Sequence, residues 1–147
     1  LYEFLKHSGR EQFCLVSAKR MSEAIACLKT TSFEVVLLDL TLPDSAGLDS
    51  LDAIIHESPN LPIVVLTNTN DDELAIHAVR HGAQDYLVKR QLNPELLIRS
   101  IRYAIERKQA SVALREANEI LEERVRARTI ELETAHRRLQ EEFDRCQ

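Results

Sequence analysis

Val35-Val36-Leu37-Leu38-Asp39 is a run of four aliphatic residues closed by a carboxylate, and Ile63-Val64-Val65-Leu66-Thr67 repeats the form with a hydroxyl at its end. Neither run alternates apolar with polar residues, so neither describes a strand with one wet face. Continuous apolar strands are those covered on both sides, as in a parallel sheet sandwiched by helices. Working outward, the spacing predicts strands at Phe13 to Ser17, Glu34 to Asp39, Pro62 to Thr67 and Asp85 to Lys89. Amphipathic stretches separate them. Leu1 to His7 reads as the tail of one helix, Ser22 to Thr30 as a second, Leu48 to Glu57 as a third and Asp72 to His81 as a fourth. This alternation predicts an α/β fold built on a parallel sheet. Gly82 follows the fourth helix, where a residue free to take the left-handed conformation ends it. Asn93-Pro94-Glu95 opens the fifth, with a capping side chain, a ring preset at the first helical position and an acid favourable to the dipole.

With 147 residues, 44% of them apolar, the chain can bury one ordinary core. A net charge of −5 argues against direct nucleic-acid binding, which draws on a basic excess. Cys14, Cys27 and Cys146 are an odd set without metal-ligand spacing, and the apolar neighbours of two of them predict buried reduced thiols. Without a long apolar run or a signal-peptide pattern, the expectation is a cytoplasmic protein that does not enter a membrane.

All three glycines and all four prolines lie at or before Pro94, and nothing interrupts helical periodicity from there to about Arg145. At 1.5 Å per residue such a helix spans roughly 75 Å, more than one domain face can cover. Leu114, Leu121, Arg128 and Ala135 fall at one position of a heptad, and Asn118, Val125, Leu132 and Leu139 at the other. That pattern predicts a parallel coiled-coil homodimer with Asn118 fixing register in the seam and Arg128 weakening it. A single solvated charged helix is the alternative. The expected division is a globular domain over residues 1–107 and a coiled-coil signalling helix over 108–147.

Ligands of parallel sheets bind at the carboxyl ends of the strands. There the sequence puts Asp39, Thr67 and Lys89, each closing a different strand. Taken singly, an aspartate there is an ordinary turn former, a threonine satisfies local backbone and a lysine is solvated. Together they suit phosphoryl transfer: a carboxylate to attack phosphorus, a hydroxyl to donate to a phosphoryl oxygen and an ammonium to offset the added charge.

Leu37-Leu38-Asp39-Leu40-Thr41-Leu42-Pro43-Asp44-Ser45-Ala46-Gly47, Leu66-Thr67 and Gly82-Ala83-Gln84-Asp85-Tyr86-Leu87-Val88-Lys89 resemble, in that order, the receiver domain of bacterial response regulators. The resemblance implies a flavodoxin-like sheet of order 2-1-3-4-5 and a phosphoryl group accepted on Asp39 from a histidine kinase or phosphotransfer protein. It implies that Thr67 is the switch hydroxyl, Lys89 the phosphate-pairing lysine and Tyr86 the aromatic residue whose rotamer follows phosphorylation, with plain packing the alternative for Tyr86. It also implies Mg²⁺ held by Asp39, the backbone carbonyl of Thr41 and an acidic pair after the first strand. The first strand and that pair are missing from this sequence, which leads us to expect further residues upstream in the natural protein. Two departures stand out: Lys89-Arg90 where the family commonly has Lys-Pro, and Asn68 where it has a smaller residue. Leu114 to Leu139 resembles the signalling helices that join receiver domains to output domains.

The functional expectation is therefore a phosphorelay receiver acting through a dimeric helix, with no catalysis beyond self-catalysed phosphorylation and dephosphorylation. The main rival is a receiver-like scaffold that only dimerises. His136 on the long helix lacks the acidic neighbour and later proline of a histidine-kinase phosphoacceptor. His77 and His81 sit one turn apart without the glutamate or third ligand of a zinc site. An aspartate-nucleophile phosphatase would place a second acid where Thr41 stands.

Overall fold

The computed structural model describes residues 2–6 and 13–146. Two compact units divide the chain, Leu1–Gln109 and Ala110–Gln147. In the first, helices α1 (Tyr2–Lys6) and α2 (Met21–Thr30) precede β1 (Val36–Asp39). A small hairpin, β2 (Thr41–Leu42) and β3 (Ser45–Ala46), leads into α3 (Leu48–Glu57). Then come β4 (Ile63–Thr67), α4 (Asp72–Arg80), β5 (Asp85–Val88) and α5 (Pro94–Arg145). Leu1 and His7, the expected ends of the first helix, lie outside the described residues.

Strands β1, β4 and β5 form a parallel sheet in that order, pairing Asp39 with Leu66 and Thr67 with Val88. This is the 3-4-5 side of the expected 2-1-3-4-5 arrangement. Successive side chains of a strand point to opposite faces, and both faces are covered, as the unbroken apolar runs require. Leu38, Ile63 and Val65 pack with Leu51, Ile54 and Ala78 on the side of α2, α3 and α4. Val64, Leu66 and Leu87 pack with Leu5 of α1 and Leu97, Ile101 and Ala104 of α5 on the other.

Helix ends follow the local chemistry. The Asn93 Oδ1 accepts the Leu96 N–H at 2.7 Å, capping α5, and Asp71 accepts the Glu73 and Leu74 N–H groups to cap α4. Beyond α4, Gly82 takes φ of +114° while its N–H reaches Val79 O and the Ala83 N–H reaches Ala78 O. Those two bonds with a left-handed glycine form a Schellman stop, as the sequence predicts.

Two expectations fail. Phe13 to Ser17 has no strand pairing. A strand exists only by pairing with a neighbour, and no strand among the described residues lies beside this segment. Phe13 and Leu15 still pack against the α1 and α5 side, whereas Cys14 and Val16 face solvent. The cysteines are free, but none is buried: Cys14 and Cys146 are exposed and Cys27 is half-buried.

Within the second unit, α5 exposes Leu114, Leu121, Val125, Leu132 and Leu139, the apolar members of the expected seam, together with Ile120, Ile130 and Phe143. Arg128 pairs with Glu131 at 3.4 Å, one turn along the same helix. No helix among the described residues is long and apolar enough to cross a membrane.

Candidate functional site

Asp39 closes β1 and Lys89 follows β5, with β4 between them. The Lys89 Nζ nevertheless donates to Asp39 Oδ2 at 2.5 Å, reaching across the end of the central strand. The other carboxylate oxygen, Oδ1, accepts both the Thr41 N–H at 2.9 Å and the Thr41 hydroxyl at 2.7 Å. Partial burial alone pushes the Asp39 carboxyl up; the hydrogen bonds from Lys89 and Thr41 and the lysine charge outweigh it and hold the carboxyl below its usual range. Asp39 is thus a charged, oriented carboxylate at the mouth of the sheet.

Thr67 is buried at the end of β4, one step past the residue that pairs with Asp39. Its hydroxyl is engaged by Thr69, accepting that residue's N–H at 3.2 Å and meeting its Oγ1 at 3.2 Å. Tyr86 lies half-buried on β5, and its hydroxyl donates to the Thr69 carbonyl at 3.2 Å. Asp39, Thr41 and Lys89 therefore meet directly, while Thr67 and Tyr86 converge on the loop that follows β4. At the first departure from the family pattern, Lys89–Gln91 makes one turn of 3-10 helix, and the Arg90 guanidinium reaches the Asn68 carbonyl at 3.5 Å.

A cation test turns on Asp39. A carboxylate offers about four acceptor sites, and three hydrogen bonds leave room for one more ligand bond. Together with the Thr41 carbonyl, that gives two hard oxygens suited to Mg²⁺, which keeps several waters in such sites. No group of three or more His, Cys, Asp or Glu side chains able to hold a metal occurs among the described residues. Of the candidate zinc pair, His81 Nδ1 lies 2.9 Å from Asp52 of α3.

Sequence reasoning missed two contacts. Asp44, quoted only within the stretch that carries the family resemblance, accepts the Met21 N–H at 2.7 Å and the Ser22 N–H at 3.0 Å at the head of α2. The clue was Arg20, a residue that cannot cap the helix it precedes. Buried Ser100 of α5 donates to Asp85 Oδ2 at 2.5 Å, beside Tyr86.

Comparison with known proteins points to a family and a fold. The family model of the response regulator receiver domain matches residues 2–102, more than half the chain. Regulatory protein LuxO of Vibrio cholerae is 43% identical over 67 residues, 46% of this chain and 15% of that protein. The swarming motility regulation protein RssB of Serratia marcescens is 36% identical over 101 residues, 69% of this chain and 45% of that protein. The chain thus spans less than half the length of either relative. Among solved structures, the signal receiver domain of a putative LuxO repressor protein from Vibrio parahaemolyticus superposes with a TM-score of 0.67 at 23% identity, covering 77% of this chain and 86% of that one; it attests the fold. A response regulator from Burkholderia pseudomallei, solved with a phosphorylated aspartic acid, calcium ion and citrate, matches with a TM-score of 0.61 at 26% identity over 78% of this chain and 66% of that one.

Proposed function

This chain belongs to the response regulator receiver family, and from that premise we propose that Asp39 accepts a phosphoryl group from a histidine kinase or phosphotransfer protein in the cytoplasm. The observation that carries the proposal is the Lys89 ammonium held 2.5 Å from the Asp39 carboxylate across the end of β4. In the transfer, an Asp39 oxygen bonds to phosphorus as the bond from phosphorus to the donor's nitrogen or oxygen breaks. The leaving group departs with that electron pair and takes a proton from solvent. Lys89 then faces an added negative charge, and Thr67 exchanges its bond with Thr69 for a phosphoryl oxygen. Tyr86, hydrogen-bonded to the same loop, follows that exchange. Asp39 and the Thr41 carbonyl would hold Mg²⁺, which when bound neutralises charge on the phosphoryl oxygens. Formation and hydrolysis of the adduct are the chain's own chemistry, and no external substrate is turned over.

Residues 1–107 act as the receiver in this reading, and 108–147 as a coiled-coil signalling helix whose parallel dimer carries the state of Asp39 to an output. Incubating the full-length protein with acetyl phosphate and Mg²⁺ tests it. A hydroxylamine-labile adduct is expected on Asp39 and is lost in Asp39→Asn. An unmodified wild type favours the rival scaffold, which the exposed apolar residues of the seam support independently of phosphate.

A further inference from the structure

The chain between Asp39 and α3 is a hairpin of only two residue pairs, Thr41 with Ala46 and Leu42 with Ser45, turning through Pro43-Asp44. A two-stranded ribbon of that length does not hold itself in water. External bonds hold this one. At its base the Gly47 N–H donates to the Leu40 carbonyl at 3.0 Å, and on the α3 side the Ser50 hydroxyl donates to the Ser45 hydroxyl at 2.8 Å. At its tip the Asp44 carboxylate takes the first two N–H groups of α2, 2.7 and 3.0 Å away, on a helix whose preceding residue, Arg20, provides no side-chain cap.

We propose that Asp44 is a positioning residue for the phosphoryl acceptor: by tying the hairpin tip to α2 it keeps Thr41, three residues earlier, on Asp39. The route is short and made of hydrogen bonds. Helix α2 holds Asp44, Asp44 holds the turn, and the turn ends at Thr41, whose N–H and hydroxyl both fix Asp39 Oδ1. Released at its tip, the hairpin swings about Leu40, and the Asp39 carboxylate loses the two bonds that set its plane. Lys89 alone still binds it, through the other oxygen. This inference rests on Asp39 being the acceptor.

The test compares wild type, Asp44→Ala and Asp44→Asn in the full-length protein, following adduct formation from acetyl phosphate and hydrogen exchange at the Thr41 amide. Asp44→Ala is expected to slow the adduct about fivefold and to hasten Thr41 exchange about tenfold, the scale of a misplaced reacting group and a locally opened bond. Asp44→Asn keeps one acceptor oxygen of the two and is expected to fall between wild type and Asp44→Ala in both. Should Asp44→Ala fail to fold, Ser22→Pro removes the Ser22 N–H and hydroxyl from the opposite side at an exposed first-turn position that tolerates proline, and the same directions are expected. Wild-type rates with unchanged Thr41 exchange in the folded variants overturn the proposal, as does an equal loss in Asp44→Asn and Asp44→Ala. A wild type that takes no phosphate overturns the acceptor reading itself, an outcome distinct from a loss confined to the variants.

Discussion

Lys89 must reach past a whole strand to touch Asp39, a span of about 10 Å between the axes of β1 and β5 at ordinary strand spacing. Only a long side chain can deliver charge over that distance. Replacing it by alanine leaves the carboxylate to Thr41. Lys89→Ala is expected to slow adduct formation on Asp39 by about tenfold or more, as for one lost charge-assisted hydrogen bond of roughly 1.5 kcal/mol, measured by acetyl phosphate labelling. Asp44 allows a separate test by pH. Hydrogen bonds from the Ser22 and Met21 N–H groups hold its carboxyl below the usual aspartate range. A carboxyl lowered on folding adds stability above its unfolded pKa and loses it as pH falls through the folded value. The difference in urea midpoint between wild type and Asp44→Ala is therefore expected at about pH 6 and to shrink by about pH 3. Legibility at this scale was uneven. The placement of Asp39 and Thr67 at strand ends and of Lys89 just past β5 could be read from the apolar runs before them, whereas Asp44 meets α2 across more than twenty residues of sequence, and no local pattern records such a bond.

Elements were legible where their stability is local. Strands β1 and β4 announce themselves because being covered on both faces demands unbroken apolar runs, and α4 and α5 because Gly82 ends the one and Asn93 opens the other. The segment at Phe13 has the same composition and pairs with nothing, since a strand exists only through its neighbour. The hairpin after Asp39 escaped notice because two residues a side give no periodicity. The two-faced core makes its own prediction. Leu51 and Leu97 are fully buried in separate clusters on opposite sides of the sheet. Each change to alanine is expected to destabilise by about 2–5 kcal/mol, measured by urea unfolding. The double variant is expected to equal the sum within about 0.5 kcal/mol, because the sites share no partner. A marked shortfall from additivity would show that the sheet passes strain from one face to the other.

At the scale of the whole molecule, the seam of α5 is an apolar stripe that a monomer leaves in water. Leu114, Leu121, Val125, Leu132 and Leu139 are 58–65% exposed, far more than a packed helix face. In the proposed parallel dimer a second copy would bury them against themselves, and Asn118 would pair with its counterpart and favour two strands in one register. Arg128 works against that seam, and its bond to Glu131 on the same helix draws the charge toward the flank. The full chain is accordingly expected to scatter light as a dimer at micromolar concentration and, truncated after Lys108, as a monomer. Arg128→Leu is the sharper probe, since it replaces the one charged residue among the apolar layers with a side chain worth roughly 1.5–3 kcal/mol on burial. Dimer dissociation is expected to weaken by about tenfold or more in that variant, read by sedimentation on dilution. If instead Arg128→Leu leaves a monomer or drives higher assembly, the heptad assigned to residues 114–139 does not form the interface and the proposed dimer falls.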